Sequence, residues 1–438
     1  MYPNLYYAIK DWFGVEINAL KIFYTFGIFV AVAFIISAIF LSKELRRKEK
    51  QGKLHPREEA ITVGKPASLT ELIINGLIGF VFGYKILGAF IASRTASIDL
   101  QDYVFSSEGS MIGGLLLAAV LVYLKYKEKN KGKLAKPETR MVRIWPHDRV
   151  GDIVIIALVA GILGAKLFDN LENWDRFVKD PVGNLLSPSG LTFYGGLICA
   201  ALVICYYMKK KGVNLWHLVD AAAPALMIAY AIGRIGCQVS GDGDWGVYNS
   251  AYTSDVPGHV VLANPGDFER KAHENTAYLI PNEPKDTNSL NKDSLSTDLS
   301  KVPHKSFKGP SFLPKWMFAY TFAHNVNEEG VSIPDCEGKY CKALPLPVYP
   351  TSFYETVVCF LLFLLLWFLR KPIHAPGMLF SIYLILNGLE RFTIEKIRVN
   401  TQYSILGLHP TQAELISFAL IITGVILFFY TKKQFKRA

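Results

Sequence analysis

Apolar runs long enough to cross a bilayer recur along the chain, and no other feature narrows its possible folds so far. "KIFYTFGIFVAVAFIISAIFL" comes first; "IVIIALVAGILGAKLF", "LICAALVICYYM", "FYETVVCFLLFLLLWFL" and "ELISFALIITGVILFFY" follow. Each approaches the ~20 residues that a helix needs to span the hydrocarbon. A soluble chain of 438 residues would need long polar helix faces, and with 51% hydrophobic residues these are scarce. The expected fold is an all-α polytopic membrane protein. Its nine predicted crossings are 20–41, 69–91, 109–126, 150–168, 191–208, 217–236, 352–369, 377–396 and 411–431.

The formal charge of +10 could suggest nucleic acid as a partner, but its distribution argues otherwise. Basic clusters stand where apolar runs stop: "SKELRRKEKQGKLHPR", "KYKEKNKGKLAK", "MKKKG", "LRKP" and the terminal "TKKQFKRA". The intervening loops, such as "SRTASIDLQDYVFSSEGS" and "LFDNLENWDRFVKDP", are mixed or acidic. By the positive-inside rule the N-terminus lies outside and the C-terminus inside, which suits an odd number of crossings. The first run has no basic flank before it and no small-residue cleavage site after it, so it is expected to remain as a helix.

Residues 247–346 form one long polar segment, rich in Pro, Asn, Ser, Asp and Lys. A structureless loop of that length is unusual, so a small irregular or β-containing domain is expected on the outer side. Its stretch "EPKDTNSLNKDSLSTDLSK" has the composition of a disordered segment. "DCEGKYC" places Cys336 and Cys341 where an oxidising compartment would permit a disulfide. With no second pair nearby, this spacing is not a metal signature, and no cofactor is expected. Cys199, Cys205 and Cys359 sit inside apolar runs and read as packing residues.

Two stretches of the first half resemble each other. "LIGFVFGYKILGAF" parallels "LVAGILGAKLFDNL", matching Gly83 and Lys85 with Gly164 and Lys166; Gly113-Gly114 match Gly195-Gly196 further on. Two crossings per copy would make the repeat parallel in the membrane.

Polar groups gather at the outer ends of the later crossings. "GRIGCQVSGDGDWG" ends one apolar run on Arg234, an expensive residue at membrane depth. Either its guanidinium snorkels to the headgroups, or it grips a phosphate in bidentate fashion. The glycines, which permit close backbone approach, and Asp242 and Asp244 favour the second reading. In "LNGLERFTIEKIRVN", Arg391, Glu395 and Arg398 stand at i, i+4 and i+7 on one predicted helix face. That stripe either neutralises itself or lines a receptor for a phosphodiester. Tyr194 precedes the paired glycines of "GLTFYGGLI", as an interfacial belt residue or a proton carrier. Tyr354 and Glu355 of "YPTSFYE" open the next helix, the glutamate as a dipole partner or a cavity residue. "HPTQAEL" reads as simple capping of the last helix. No phosphate-cradling Gly-Lys-Ser/Thr loop is present, so nucleotide hydrolysis is not expected.

"GLTFYGGLI", "LVDAAAPALMIAYAIGRIGCQVSGDGDWG", "YPTSFYE" and "LERFTIEKIR", in that order, resemble the prolipoprotein diacylglyceryl transferase family of bacterial inner membranes. The resemblance covers about 148–431 and the first helix, but not 69–126. It divides the chain into an N-terminal segment with the first helix (1–68), an additional helix pair (69–147), core helices (148–246 and 347–438) and a periplasmic domain (247–346). It implies transfer of diacylglyceryl from phosphatidylglycerol to the lipobox cysteine of preprolipoprotein signal peptides, with release of glycerol phosphate. Arg234, Arg391 and Glu395 match the family's catalytic arginines and glutamate, and Tyr194 stands where the family usually has its histidine. Arg234, Asp242, Asp244, Tyr354, Glu355 and Arg398 would bind substrate. Cys237 replaces an asparagine and Tyr349 a second histidine. Loss of histidine unsettles the choice of base, because a phenol does not titrate near neutrality. A paralogue acting on another lipid, and a transporter, are the rival readings.

Overall fold

The computed structural model describes residues 1–92, 103, 106–187, 190, 192–243, 245–256, 258–279, 302–336, 338–399, 403 and 409–437. Among the described residues, nine helices of 18 residues or more carry the fold: α1 Thr25–Lys50, α2 Leu69–Ala92, α3 Met111–Lys131, α4 Val150–Glu172, α5 Phe193–Lys210, α6 Leu215–Ser240, α7 Thr351–Leu369, α8 Met378–Glu395 and α9 Gln412–Arg437. Their bounds follow the predicted crossings closely, except that α1, α3 and α9 run on through their basic flanks. Among the described residues, seven helices are long and apolar enough to cross a membrane. The other two of the nine predicted crossings, α3 and α8, carry more charge: Lys125, Lys127, Lys129 and Lys131 at the end of one, Glu390, Arg391 and Glu395 at the end of the other. The chain is an all-α polytopic membrane protein, with strands confined among the described residues to four two-stranded sheets.

Two compact units divide it. One comprises Ile9–Phe23 and Ala38–Ala221, the other Met1–Ala8, Tyr24–Ser37 and Ala222–Ala438. In the first, α2 packs on α3 and α4 on α5 as two hairpins whose contacts correspond. A Cβ on Gly83 would lie 2.3 Å from the Gly113 carbonyl, and one on Gly164 would lie 2.7 Å from the Gly195 carbonyl. Ser110 N–H bonds the Tyr84 carbonyl at 2.9 Å, as Thr192 N–H bonds that of Ala165 at 3.1 Å. Small residues let helix backbones approach this closely in lipid. Replacing Gly164 by valine should therefore destabilise the purified protein by about 1–3 kcal/mol through overpacking, read as a lower thermal midpoint. Gly151→Ala, on the same helix, meets nothing within 4 Å and should leave the midpoint in place.

Each hairpin is preceded by a strand, which the sequence reading missed. β1 (Arg57–Val63) and β2 (Glu138–Ile144) pair antiparallel, from Arg57 opposite Ile144 to Val63 opposite Glu138, with Ala60 opposite Met141 at the centre. These mostly exposed strands show no clean alternation of apolar and polar residues, the usual strand signal. Cross-strand ion pairing supplies part of the match, with Arg143 Nε 3.0 Å from Glu58. Glu59 meets Arg149 at 2.7 Å and Lys211 at 3.1 Å. The Lys211 hydrogen bond holds its carboxyl below the usual range.

In the second unit α8 and α9 pack through Gly388 and Gly424, whose added Cβ atoms would fall 2.8 Å and 2.9 Å from the carbonyls of Ser417 and Ser381. α9 opens on a capping box: Thr411 Oγ1 takes the Glu414 N–H at 3.2 Å and Glu414 takes that of Thr411 at 3.1 Å. Between α6 and α7 the polar segment is built from short pieces. β3 (Tyr248–Asn249) pairs with β6 (His304–Lys305), β4 (Tyr252–Ser254) with β5 (Val260–Leu262), and β7 (Val331–Ser332) with β8 (Lys342–Ala343). Cys336 and Cys341 are joined in a disulfide. The stretch expected to be disordered, 283–301, lies outside the described residues.

Candidate functional site

Three helices of the second unit bring polar side chains to a common place at one end of each. α6 ends at Ser240 with Arg234 nearly two turns before its close, α7 begins at Thr351 with Glu355 one turn in, and α8 ends at Glu395 with Arg391 one turn earlier. Without partners these groups would destabilise their helices in lipid. They meet instead on one carboxylate.

The Glu355 side chain is fully buried. Arg234 Nε lies 3.1 Å from its Oε2, Arg391 Nη1 donates to Oε1 at 3.1 Å, and Arg398 Nη1 stands 3.6 Å from the same oxygen. The Tyr230 hydroxyl also donates to Oε1, at 2.9 Å. Arg391 reaches on to Glu395 at 3.3 Å, and the Thr411 hydroxyl fixes the other oxygen of Glu395 at 2.7 Å. Arg234 lies over the Tyr230 ring, 5.6 Å from its centre, with one guanidinium nitrogen 3.8 Å from Cys237 Sγ. Arg398 is almost wholly enclosed, while Arg234 and Arg391 keep 14% and 17% of their side chains exposed. Those two can therefore still meet a ligand.

The glycine-rich loop after Arg234 ties this cluster together. Gly246 N–H bonds the Tyr349 carbonyl at 2.9 Å, Val247 N–H bonds that of Ile397 at 2.8 Å, and Gly246 bridges to Arg398. A Cβ on Gly246 would stand 2.7 Å from the Ile397 carbonyl and 2.8 Å from Tyr349 Cβ, so the sequence has no side chain here.

Of the predicted residues, the structure gathers Arg234, Glu355, Arg391, Glu395 and Arg398. It corrects how the last arrives: α8 stops at Glu395, so Arg398 is not on a shared helical face but returns through a turn. Tyr354 does not join the cluster, since its hydroxyl donates to the Met317 carbonyl at 2.7 Å. Asp242 is half-buried in the loop, its N–H on the Cys237 carbonyl at 3.1 Å, and Asp244 lies outside the described residues. Tyr194 belongs to the other unit, as the second residue of α5, with its ring edge-on to Phe193. Sequence reasoning missed Tyr230 and Thr411. Tyr230 had a signal, four residues before Arg234 and so on the same helical face; Thr411 showed only its capping role.

A family model described as prolipoprotein diacylglyceryl transferase matches residues 133–430, which include every residue of this cluster. The chain belongs to the prolipoprotein diacylglyceryl transferase family. Several proteins named phosphatidylglycerol–prolipoprotein diacylglyceryl transferase are similar to it, some over two thirds or more of its length and others over a shorter stretch. One from Dehalococcoides mccartyi is 26% identical over 292 residues, 67% of this chain and 80% of that protein. One from Streptococcus uberis is 27% identical over 325 residues, 73% of this chain and 88% of that protein. A third, from Leptospira interrogans, is 33% identical over 140 residues, 24% of this chain and 44% of that protein. The transferase family match starts just before β2, so β1 and the α2–α3 hairpin precede it.

Proposed function

We propose that this protein moves the diacylglyceryl group of phosphatidylglycerol to the lipobox cysteine thiol of a preprolipoprotein signal peptide, releasing glycerol phosphate. The setting is a bacterial cytoplasmic membrane, with the site on the periplasmic side and the basic loops inside. One observation carries the reading: three guanidiniums converge on one buried carboxylate, two of them partly exposed. Against Glu355, Glu395 and the neighbouring Glu390 the three guanidiniums are balanced, and the two exposed edges still offer N–H donors to a phosphodiester monoanion. Arginine suits that task because its planar fork meets two phosphate oxygens at once.

The chemistry follows from the charge. Sulfur attacks the glycerol C3 carbon of the diacylglyceryl group, the C3–O bond breaks, and its electron pair departs with the phosphate. Negative charge grows on that phosphate during the step. Fixed cations aimed at it lower the barrier without reorganising, usually the largest single contribution in such transfers. All of the gathered groups sit at one end of their helices, which favours a site at a membrane surface over a mid-membrane passage.

The test uses purified protein, phosphatidylglycerol vesicles and a lipobox peptide. The expected products are a thioether-linked diacylglyceryl peptide and free glycerol phosphate in equal amounts. A peptide with serine in place of the lipobox cysteine should give neither. Absence of thioether product with the cysteine peptide sinks the reading.

A further inference from the structure

Glu390 is unlike the other carboxylates of the cluster. It is 8% exposed, yet neither of its oxygens has a hydrogen bond of good geometry among the described residues. Its electrostatic neighbours include Glu355, Arg391 and Arg234, with Tyr230 beside them and the Cys359 thiol on α7. The Tyr230 hydroxyl donates to Glu355 at 2.9 Å and also lies within hydrogen-bonding reach of Glu390. Glu355 and Glu395 are held by donors from several sides. One oxygen of each of those also lacks a hydrogen bond but has an arginine 3.1 Å or 3.3 Å away, whereas Glu390 has no such ion pair among the described residues.

A buried carboxylate with so few donors is costly to keep. It therefore calls for an occupant during the working cycle. The reaction supplies a suitable one, because the acceptor arrives as a thiol and must lose its proton. A carboxylate with free lone pairs is a proton acceptor, and a thiol of pKa about 8.5 is only slightly ionised at neutral pH. The residue before the paired glycines is Tyr194, a phenol and so a poor base at that pH.

We infer that Glu390 is the base that takes the lipobox thiol proton, beside the arginines that hold the departing phosphate. This rests on the transferase reading above. The step balances: the S–H proton passes to the Glu390 carboxylate as sulfur bonds to C3, and the C3–O electron pair leaves on glycerol phosphate. A thiol, a monoanionic lipid and a carboxylate become a thioether, a dianionic phosphate and a carboxylic acid.

The experiment compares wild type with Glu390→Gln and Glu390→Asp, as full chains with phosphatidylglycerol vesicles and a lipobox peptide, from pH 6 to 9.5. At pH 7 Glu390→Gln should be slower by about 10²-fold or more, the usual contribution of a general base. Its deficit should shrink at least tenfold by pH 9, where the thiol ionises unaided. Glu390→Asp keeps a carboxyl and should run at an intermediate rate with the wild-type pH profile. Full activity in Glu390→Gln overturns the assignment, and so does a loss that is the same at every pH, which marks a packing role. If Tyr194→Phe shows the pH-rescued loss and Glu390→Gln does not, the phenol is the base. An inactive wild type is a different result: it removes the transferase reading itself.

Discussion

Replacing Glu355 with alanine should leave little folded protein, the largest stability loss of any single substitution considered. Its carboxylate takes Arg234, Arg391 and Arg398, and the Tyr230 hydroxyl as well, from a fully buried position. Without it three guanidiniums face one another with only Glu395 and Glu390 close by. Removing one partner of a buried pair commonly costs about 3–5 kcal/mol, because the remaining charge is left uncompensated. The measurement is the thermal midpoint in detergent or nanodiscs, read beside the yield of monodisperse protein. Glu355→Gln keeps the shape and the hydrogen bonding to two donors but not the charge, so it should fall between wild type and alanine. Alanine and wild type melting together would show that the arginines do not depend on this residue, and the account of the cluster would fail.

That dependence marks the limit of what could be read from the chain. Apolar runs end where lipid ends, so α2, α4, α6 and α7 were predicted within a few residues of their observed bounds. Arg234 and Arg391 were visible because charge inside such a run must be compensated. Their meeting place was not visible. Glu355, near the head of an apolar run, satisfies the rules for a helix-dipole partner equally well, and only the packing of α6, α7 and α8 makes it the common acceptor. Arg398 was placed on a helical face by extending the period of α8 three residues past its end. The pairing of β1 with β2 escaped notice for a related reason. Its partners lie on either side of a whole helical hairpin, and nothing in "REEAITV" names "ETRMVRI" as its match.

Substituting Arg391 with lysine should separate catalysis from stability. Glu355 would still hold Arg234, Arg398 and Tyr230, and Thr411 would still hold Glu395, so the thermal midpoint should shift little. Lysine preserves the charge yet loses the planar fork that now spans Glu355 and Glu395 and leaves an edge exposed. A point charge on a flexible stem cannot hold two phosphate oxygens in fixed geometry. The rate of thioether formation at saturating phosphatidylglycerol should then drop by about 10²–10³, the usual effect of deleting one preorganised donor to a developing negative charge. The decisive comparison is maximal rate against lipid affinity. A donor that serves the departing phosphate affects the rate more than the affinity, because its bond strengthens as charge accumulates. If Arg391→Lys weakens lipid binding and leaves the maximal rate intact, Arg391 only anchors the headgroup. The leaving-group role would then pass to Arg234, whose guanidinium reaches the same carboxylate from the opposite helix.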